Sequence, residues 1–183
     1  MFKYLLLLVF FIELSFCTYC IDAPPSANYT DSLYEGFWYE VAKIQTKGGA
    51  FFERNCVCTS IDVTYLEYGN AVANETCRSK SVDGPATTVY GALTQTTEPG
   101  KWIETIYPTA YSSVNYTVIE IGNDYAVEYD CGSGAFGLVN YCLHYMSRTP
   151  TMDSNLLNEL VQATSYLNVQ NLPLSYTLQD GCW

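Results

Sequence analysis

Gly36-Phe37-Trp38-Tyr39-Glu40-Val41-Ala42-Lys43-Ile44 is the stretch on which the reading of this chain turns. A glycine two residues before a tryptophan, at the head of a β-rich run, implies a tight turn into a strand with a large ring tucked beneath it. From there toward the C-terminus the chain keeps returning to strand-like runs. They are predicted at 36–46, 56–68, 71–78, 87–94, 101–107, 114–121, 125–131 and 138–147, divided by turn formers such as Gly69-Asn70, Asp83-Gly84-Pro85 and Gly122-Asn123-Asp124. Eight strands joined in sequence by short loops predict an all-β fold, an up-and-down antiparallel barrel that hides its edges and leaves room for one small ligand. After Pro150 the pattern changes. Asp153 is placed to cap a helix whose apolar positions Leu156, Leu157, Leu160, Val161 and Leu167 recur at helical spacing. Its expected seat is the outside of the barrel, against Leu143 and Tyr145 of the last strand.

In the other direction the chain begins with Lys3, an apolar run over 4–12 and then Ser15-Phe16-Cys17. That is the pattern of a secretory signal, and the run is shorter than the ~20 residues that span a bilayer. Residues 1–17 are therefore read as a signal peptide and 18–183 as one domain, secreted and extracellular. Three N-x-S/T triplets, at Asn28, Asn74 and Asn115, fit passage through a glycosylating compartment. A formal net charge of −11 argues against nucleic-acid partners and against strong binding to anionic membranes, both of which demand Lys and Arg. Seventeen tyrosines beside a single histidine suggest amphipathic rings lining strands or a pocket.

The eight cysteines are Cys17, Cys20, Cys56, Cys58, Cys77, Cys131, Cys142 and Cys182. Losing Cys17 leaves seven in an oxidising compartment, so disulfides are expected and one thiol is left over. Cys56-Val57-Cys58 is too closely spaced for a zinc site and His144 is the only imidazole, so no metal and no cofactor are expected. Register tests one pairing. If Gly69-Asn70 makes a two-residue hairpin, Cys77 faces Asp62, and Cys58 lies roughly 13 Å away along the strand, beyond bridging range. Cys56, Cys77 and Cys142 stay unassigned.

Three separated elements now line up. Gly36-Phe37-Trp38 opens the first strand, Asn123-Asp124-Tyr125 turns into the seventh, and Arg148 ends the eighth. Together they resemble the three signature motifs of the lipocalins, G-x-W, T-D-x/Y and R, with Asn123 standing where the family has threonine. Tyr39-Glu40-Val41-Ala42-Lys43, Thr97-Glu98-Pro99, the run from Tyr125 to Cys131 and Met146-Ser147-Arg148-Thr149-Pro150 are similar to the apolipoprotein D and insect bilin-binding protein subgroup. The resemblance implies a secreted calyx for a small hydrophobic molecule, with Trp38 stacked under Arg148 at the closed end, a contact worth ~2 kcal/mol when desolvated. It also implies two disulfides, Cys20 to Cys131, and Cys182 to Cys58 or Cys56, with Cys58 the better match to the family's spacing.

Taking Arg148 as inward, period-two alternation puts Met146, His144, Cys142, Asn140 and Leu138 on the inner face of the last strand. Tyr116 and Val118 point inward from the sixth strand, leaving Asn115 outward, and Ala126, Glu128 and Asp130 point inward from the seventh, leaving Cys131 outward. The fifth strand has apolar residues of both parities and defeats the test. The candidate ligand-binding residues are thus Tyr116, Val118, Glu128, Asn140, Cys142, His144 and Met146, a mixed lining suited to an elongated apolar ligand with a polar end. Burying ~300 Å² of ligand at ~25 cal/mol/Å² gains about 7 kcal/mol before ordering costs, which points to micromolar affinity. The leading expectation is a carrier or scavenger of a lipid, pigment, retinoid-like or signalling molecule, as a monomer or weak homo-oligomer and without catalytic residues. Two other readings share the scaffold: an isomerase-like enzyme using the Cys142 thiol near His144, and a protein-interaction scaffold with a filled interior.

Overall fold

At Gly36 the backbone takes φ = +98°, a conformation that favours glycine, beside the Arg148 guanidinium. From this turn the first strand climbs away from the floor of a barrel. The computed structural model describes residues 19–107, 113–134, 138–169 and 172–182, so the expected signal at 1–17 lies outside the described residues. A one-turn helix, α1 (Asp31–Tyr34), precedes β1 (Gly36–Gln45), β2 (Cys56–Tyr65), β3 (Ala71–Ser79), β4 (Ala86–Gln95), β5 (Lys101–Tyr107), β6 (Ser113–Ile121), β7 (Tyr125–Ser133) and β8 (Val139–Ser147). Helix α2 (Ser154–Ala163) and a two-residue strand, β9 (Ser175–Tyr176), follow.

Each of the eight long strands pairs antiparallel with the next, and β1 bonds to both β8 and β2, so the sheet closes. β1 shares its first half with β2, at Gly36 to Tyr39, and its second half with β9, at Ala42 and Lys43. The C-terminal tail therefore covers the backbone that β2 leaves behind. Asp153 accepts from the Asn155 and Leu156 amides and caps α2. Leu157 and Leu160 are buried against the outer face of the barrel with Leu143 and Tyr145, and the Tyr145 hydroxyl meets Thr164 Oγ1 at 2.9 Å.

Two expectations, one from alternation and one from an assumed two-residue hairpin at Gly69-Asn70, are corrected. Leu138 precedes β8 and is 63% exposed, so it lines nothing. The β2–β3 connection holds five residues, 66–70, instead of two: Tyr65 faces Ala71 and Asp62 faces Asn74. Register then shifts between Val57 and Ser60, where Cys58 takes φ = +56°, so Cys77 lies beside this bulge and not opposite Asp62. The bulge sends two neighbouring cysteines to different partners, Cys56 to Cys77 and Cys58 to Cys182, with Cα atoms 5.5 Å apart in each pair. Cys20 and Cys131 form the third bridge, and Cys142 is a free, buried thiol.

Candidate functional site

The interior divides into a packed floor and a hollow upper half. At the floor Trp38 is fully buried, and the Arg148 guanidinium lies 3.4 Å over its ring. Arg148 donates from Nη1 to the Phe37 carbonyl and from Nη2 to the Leu33 and Glu35 carbonyls, each at 2.8 Å. Trp38 Nε1 donates to the Tyr34 carbonyl at 2.8 Å, and the Arg148 amide donates to the Asp124 carbonyl in the Asn123-Asp124-Tyr125 turn. Arg148 thus answers the open carbonyls around α1 while covering the indole, and the three motif segments become one seal. Trp102, Ile61, Leu93, Val118 and Met146 pack above it.

Above this layer lies a cavity of about 230 Å³. Its wall is apolar at Ile61, Ala73, Val89, Ile106 and Val114, and the β1–β2 connection brings Phe51 and Phe52 to its edge. Five of the seven sequence candidates border it: Tyr116, Glu128, Asn140, Cys142 and His144. Val118 and Met146 face inward as alternation requires, but both are wholly buried in the packed layer below, so the cavity wall does not include them. Asp130, also read as inward, is in the wall.

Alternation missed the most highly charged part of the interior. β1 carries an extra residue between Glu40 and Ala42 in its pairing with β8. Such a bulge reverses the side-chain parity after it, so Glu40 and Lys43, three residues apart, meet inside the barrel while Val41, Ala42 and Ile44 join the outer cluster. Glu53, from the helical turn Phe51–Glu53, completes the group. Lys43 Nζ stands 3.1 Å from Glu40 Oε1 and 2.6 Å from Glu53 Oε2. His144 Nδ1 is 2.6 Å from Glu40 Oε2, and its Nε2 is 3.5 Å from Asp130 Oδ2. A lysine flanked by Ala42 and Ile44 in an apolar run was the one signal in the sequence for this cluster.

These distances set the charge states. Burial disfavours ionised Glu40, but the Lys43 ammonium and hydrogen bonds from His144 and Thr177 overcome it and hold the carboxyl at about 2. For Glu53, burial and the Glu40 charge prevail over His144 and Lys43 and push it up to about 7. Burial works against a charged His144, yet Cys142, Glu53 and Asp130 around it raise it well above its ordinary value. With a carboxylate at each ring nitrogen, His144 is an imidazolium bridging Glu40 and Asp130. Glu128 accepts from the Tyr34 and Tyr116 hydroxyls, each at 2.6 Å, but burial and the neighbouring Asp130 charge still raise it to about 8.

Cys142 Sγ lies 3.9 Å from His144 Nδ1, closer than the spacing of their backbones along the strand suggests. Nevertheless burial pushes the thiol up to about 12, and Glu40 already engages Nδ1. This pair lacks the thiolate that nucleophilic chemistry requires. Glu53, Cys142 and His144, and separately Glu128, Asp130 and His144, bring ligand-type atoms within 4.8 Å of one another. A metal at the first set would have to displace Lys43 from Glu53 and the proton shared by His144 and Glu40, so the donor chemistry fits poorly.

Of the three sequons, Asn28 and Asn115 are exposed, and Asn74 is half-buried on β3. Among the described residues no helix is long and apolar enough to cross a membrane.

The barrel is similar to lobster apocrustacyanin A1, with a TM-score of 0.66 and 17% identity over 83% of this chain and 81% of that one. Insecticyanin from the tobacco hornworm Manduca sexta gives a TM-score of 0.66 and 18% identity over 90% and 88%. At such identities the likeness is one of fold. No curated protein sequence matches the chain. Residues 32–178, however, match the family model for the lipocalin-like domain, and they include the strands, floor and cavity described above; the chain belongs to the lipocalin-like domain family.

Proposed function

We propose that this protein is a secreted carrier or scavenger of a small, largely apolar molecule held in the upper half of the barrel. One observation carries the reading: a hollow of about 230 Å³ with a mainly apolar wall sits above a sealed floor. An interaction scaffold would have no reason to keep that space open, since an empty apolar cavity costs stability. The volume lies below the roughly 300–1,000 Å³ of common ligand sites. It favours a compact ligand over the elongated pigment or retinoid-like chain that the composition of the lining first suggested.

The Cys20–Cys131 and Cys58–Cys182 pairings support the finer reading of an apolipoprotein D or bilin-binding protein-like lipocalin. Three bridges suit an oxidising compartment and support export, with 1–17 removed and 18–183 forming the mature domain. Asn28 and Asn115 are the sequons best exposed for glycosylation. The protonated Cys142 thiol supports a carrier over an isomerase-like enzyme.

Titration with 1-aminoanthracene, an uncharged fluorescent probe, tests the carrier. The expected result is saturable enhancement at one probe per barrel, abolished by Val89→Trp, which fills the wall with an indole. A barrel that binds no probe, or a Val89→Trp variant that binds as well as the native protein, refutes it.

A further inference from the structure

The cavity holds more acid than its own cations answer. Glu75, Glu104, Glu128 and Asp130 border it, and among the described residues no lysine or arginine does. Of the two cations nearby, Lys43 is bound by Glu40 and Glu53, and His144 is bridged between Glu40 and Asp130 Oδ2. What remains unanswered is specific. Glu104 is 8% exposed, borders the cavity and has no hydrogen bond to any described residue. Asp130 Oδ1 is buried without a partner.

The backbone makes room for this acid. Gly91 pairs with Ile106 on β5, and a Cβ on Gly91 would stand 2.0 Å from Glu104 Oε1, so glycine leaves open the space that the carboxyl occupies. Asp130 lies across Tyr116 on β6 and beside Cys142 on β8, which places both acids on one continuous inner wall. A buried Glu104 carboxyl without a partner and a second buried oxygen, Asp130 Oδ1, that His144 does not reach are costly, and an entering cation would relieve both at once.

We infer, on the carrier reading above, that the ligand is a small organic amine, its ammonium lodged between Glu104 and Asp130 and its apolar body against Phe51, Phe52 and Val89. Carboxylate ligands, fatty acids included, are rejected by the same wall. Burial and the charges of Asp130 and Glu128 hold Glu104 well above the usual carboxylate range, so its carboxyl keeps its proton in the empty barrel and releases it to solvent when an ammonium takes its place.

Three indoles of one shape and different charge test this by calorimetry on the full secreted protein: tryptamine, tryptophol and indole-3-propionate. The pH is set at about 8, where the alkyl amine stays charged. Tryptamine should bind about ten- to a hundredfold more tightly than tryptophol, the range expected of a charge-assisted contact in a buried site, and indole-3-propionate should bind least. In Glu104→Gln with Asp130→Asn the tryptamine preference should shrink to within about threefold, while 1-aminoanthracene still binds and shows the barrel intact. If the double variant does not fold, Glu104→Gln alone should cut the preference by most of that margin. Equal or tighter binding of tryptophol, with 1-aminoanthracene still bound, overturns the amine inference and leaves the carrier standing. Failure of all three indoles and of the probe overturns both.

Discussion

The floor and the upper half of this barrel are built from the same alternating strands, yet they spend burial differently. At the floor one cation, Arg148, is fully answered by three carbonyls and an indole face. A few ångströms higher, Glu40, Glu53, Glu104 and Glu128 are all nearly inaccessible to water, with only Lys43 and His144 to balance them. The floor is arranged for stability, because the Arg148 guanidinium and the Trp38 Nε1–H both have their partners. The upper half keeps buried acid groups that lack a partner, Asp130 Oδ1 and the Glu104 carboxyl, a cost that a protein retains where something is to be bound.

The contrast fails first if the floor can be weakened cheaply. Trp38→Ala removes a wholly buried ring and leaves a void, and should cost about 3–5 kcal/mol in denaturant unfolding. A loss below about 1 kcal/mol would mean that the indole is not central to the floor. Arg148→Lys keeps the charge but loses the planar fork. It should cost about 1–2 kcal/mol, and a neutral result would show that charge alone suffices.

Acidity sharpens the comparison. Glu53 and Glu128 bind their protons more tightly folded, at about 7 and about 8, than at the ordinary 4.5 of an unfolded chain. Between those values the folded state holds more protons, so stability falls as pH rises. His144, raised well above 6.5 when folded, contributes stability below that value that is lost as pH climbs through its folded value, in the same direction. Glu40, held at about 2, works oppositely, and its contribution disappears as pH falls from 4.5 toward 2. Melting temperature should therefore peak in mild acid and decline toward pH ~8; a rise over that interval would contradict the charge states assigned to the upper half.

The smallest effect is the most discriminating. Glu104→Gln removes an acid that has no internal partner, and should leave stability unchanged or raise it by up to ~1 kcal/mol. A loss of more than ~2 kcal/mol would reveal a structural partner for Glu104 and erase the distinction between the two halves.

Legibility in the sequence follows the same line. Gly36 and Trp38 were readable because a tight turn under a large ring demands those residue types, and Arg148 because the three motifs together resemble those of the lipocalins. The inner faces of β7 and β8 were readable because no bulge breaks alternation between Glu128 and Asp130 or between Asn140 and Met146. Lys43 was hidden by the extra residue after Glu40, and the Cys56–Cys77 bridge by the bulge at Cys58 and a longer turn than Gly69-Asn70 implied. Glu104 was hidden because β5 offers apolar residues on both faces; only the pairing of Gly91 with β5 shows which face has room.

A crystal structure of the protein with 1-aminoanthracene bound tests the central claim most directly. The probe should lie in the upper cavity, between the Phe51–Phe52 connection and Tyr116, with the Trp38–Arg148 floor unmoved. Density for the probe only on the outer surface, or a floor opened to admit it, would contradict the division of this barrel into a seal and a site.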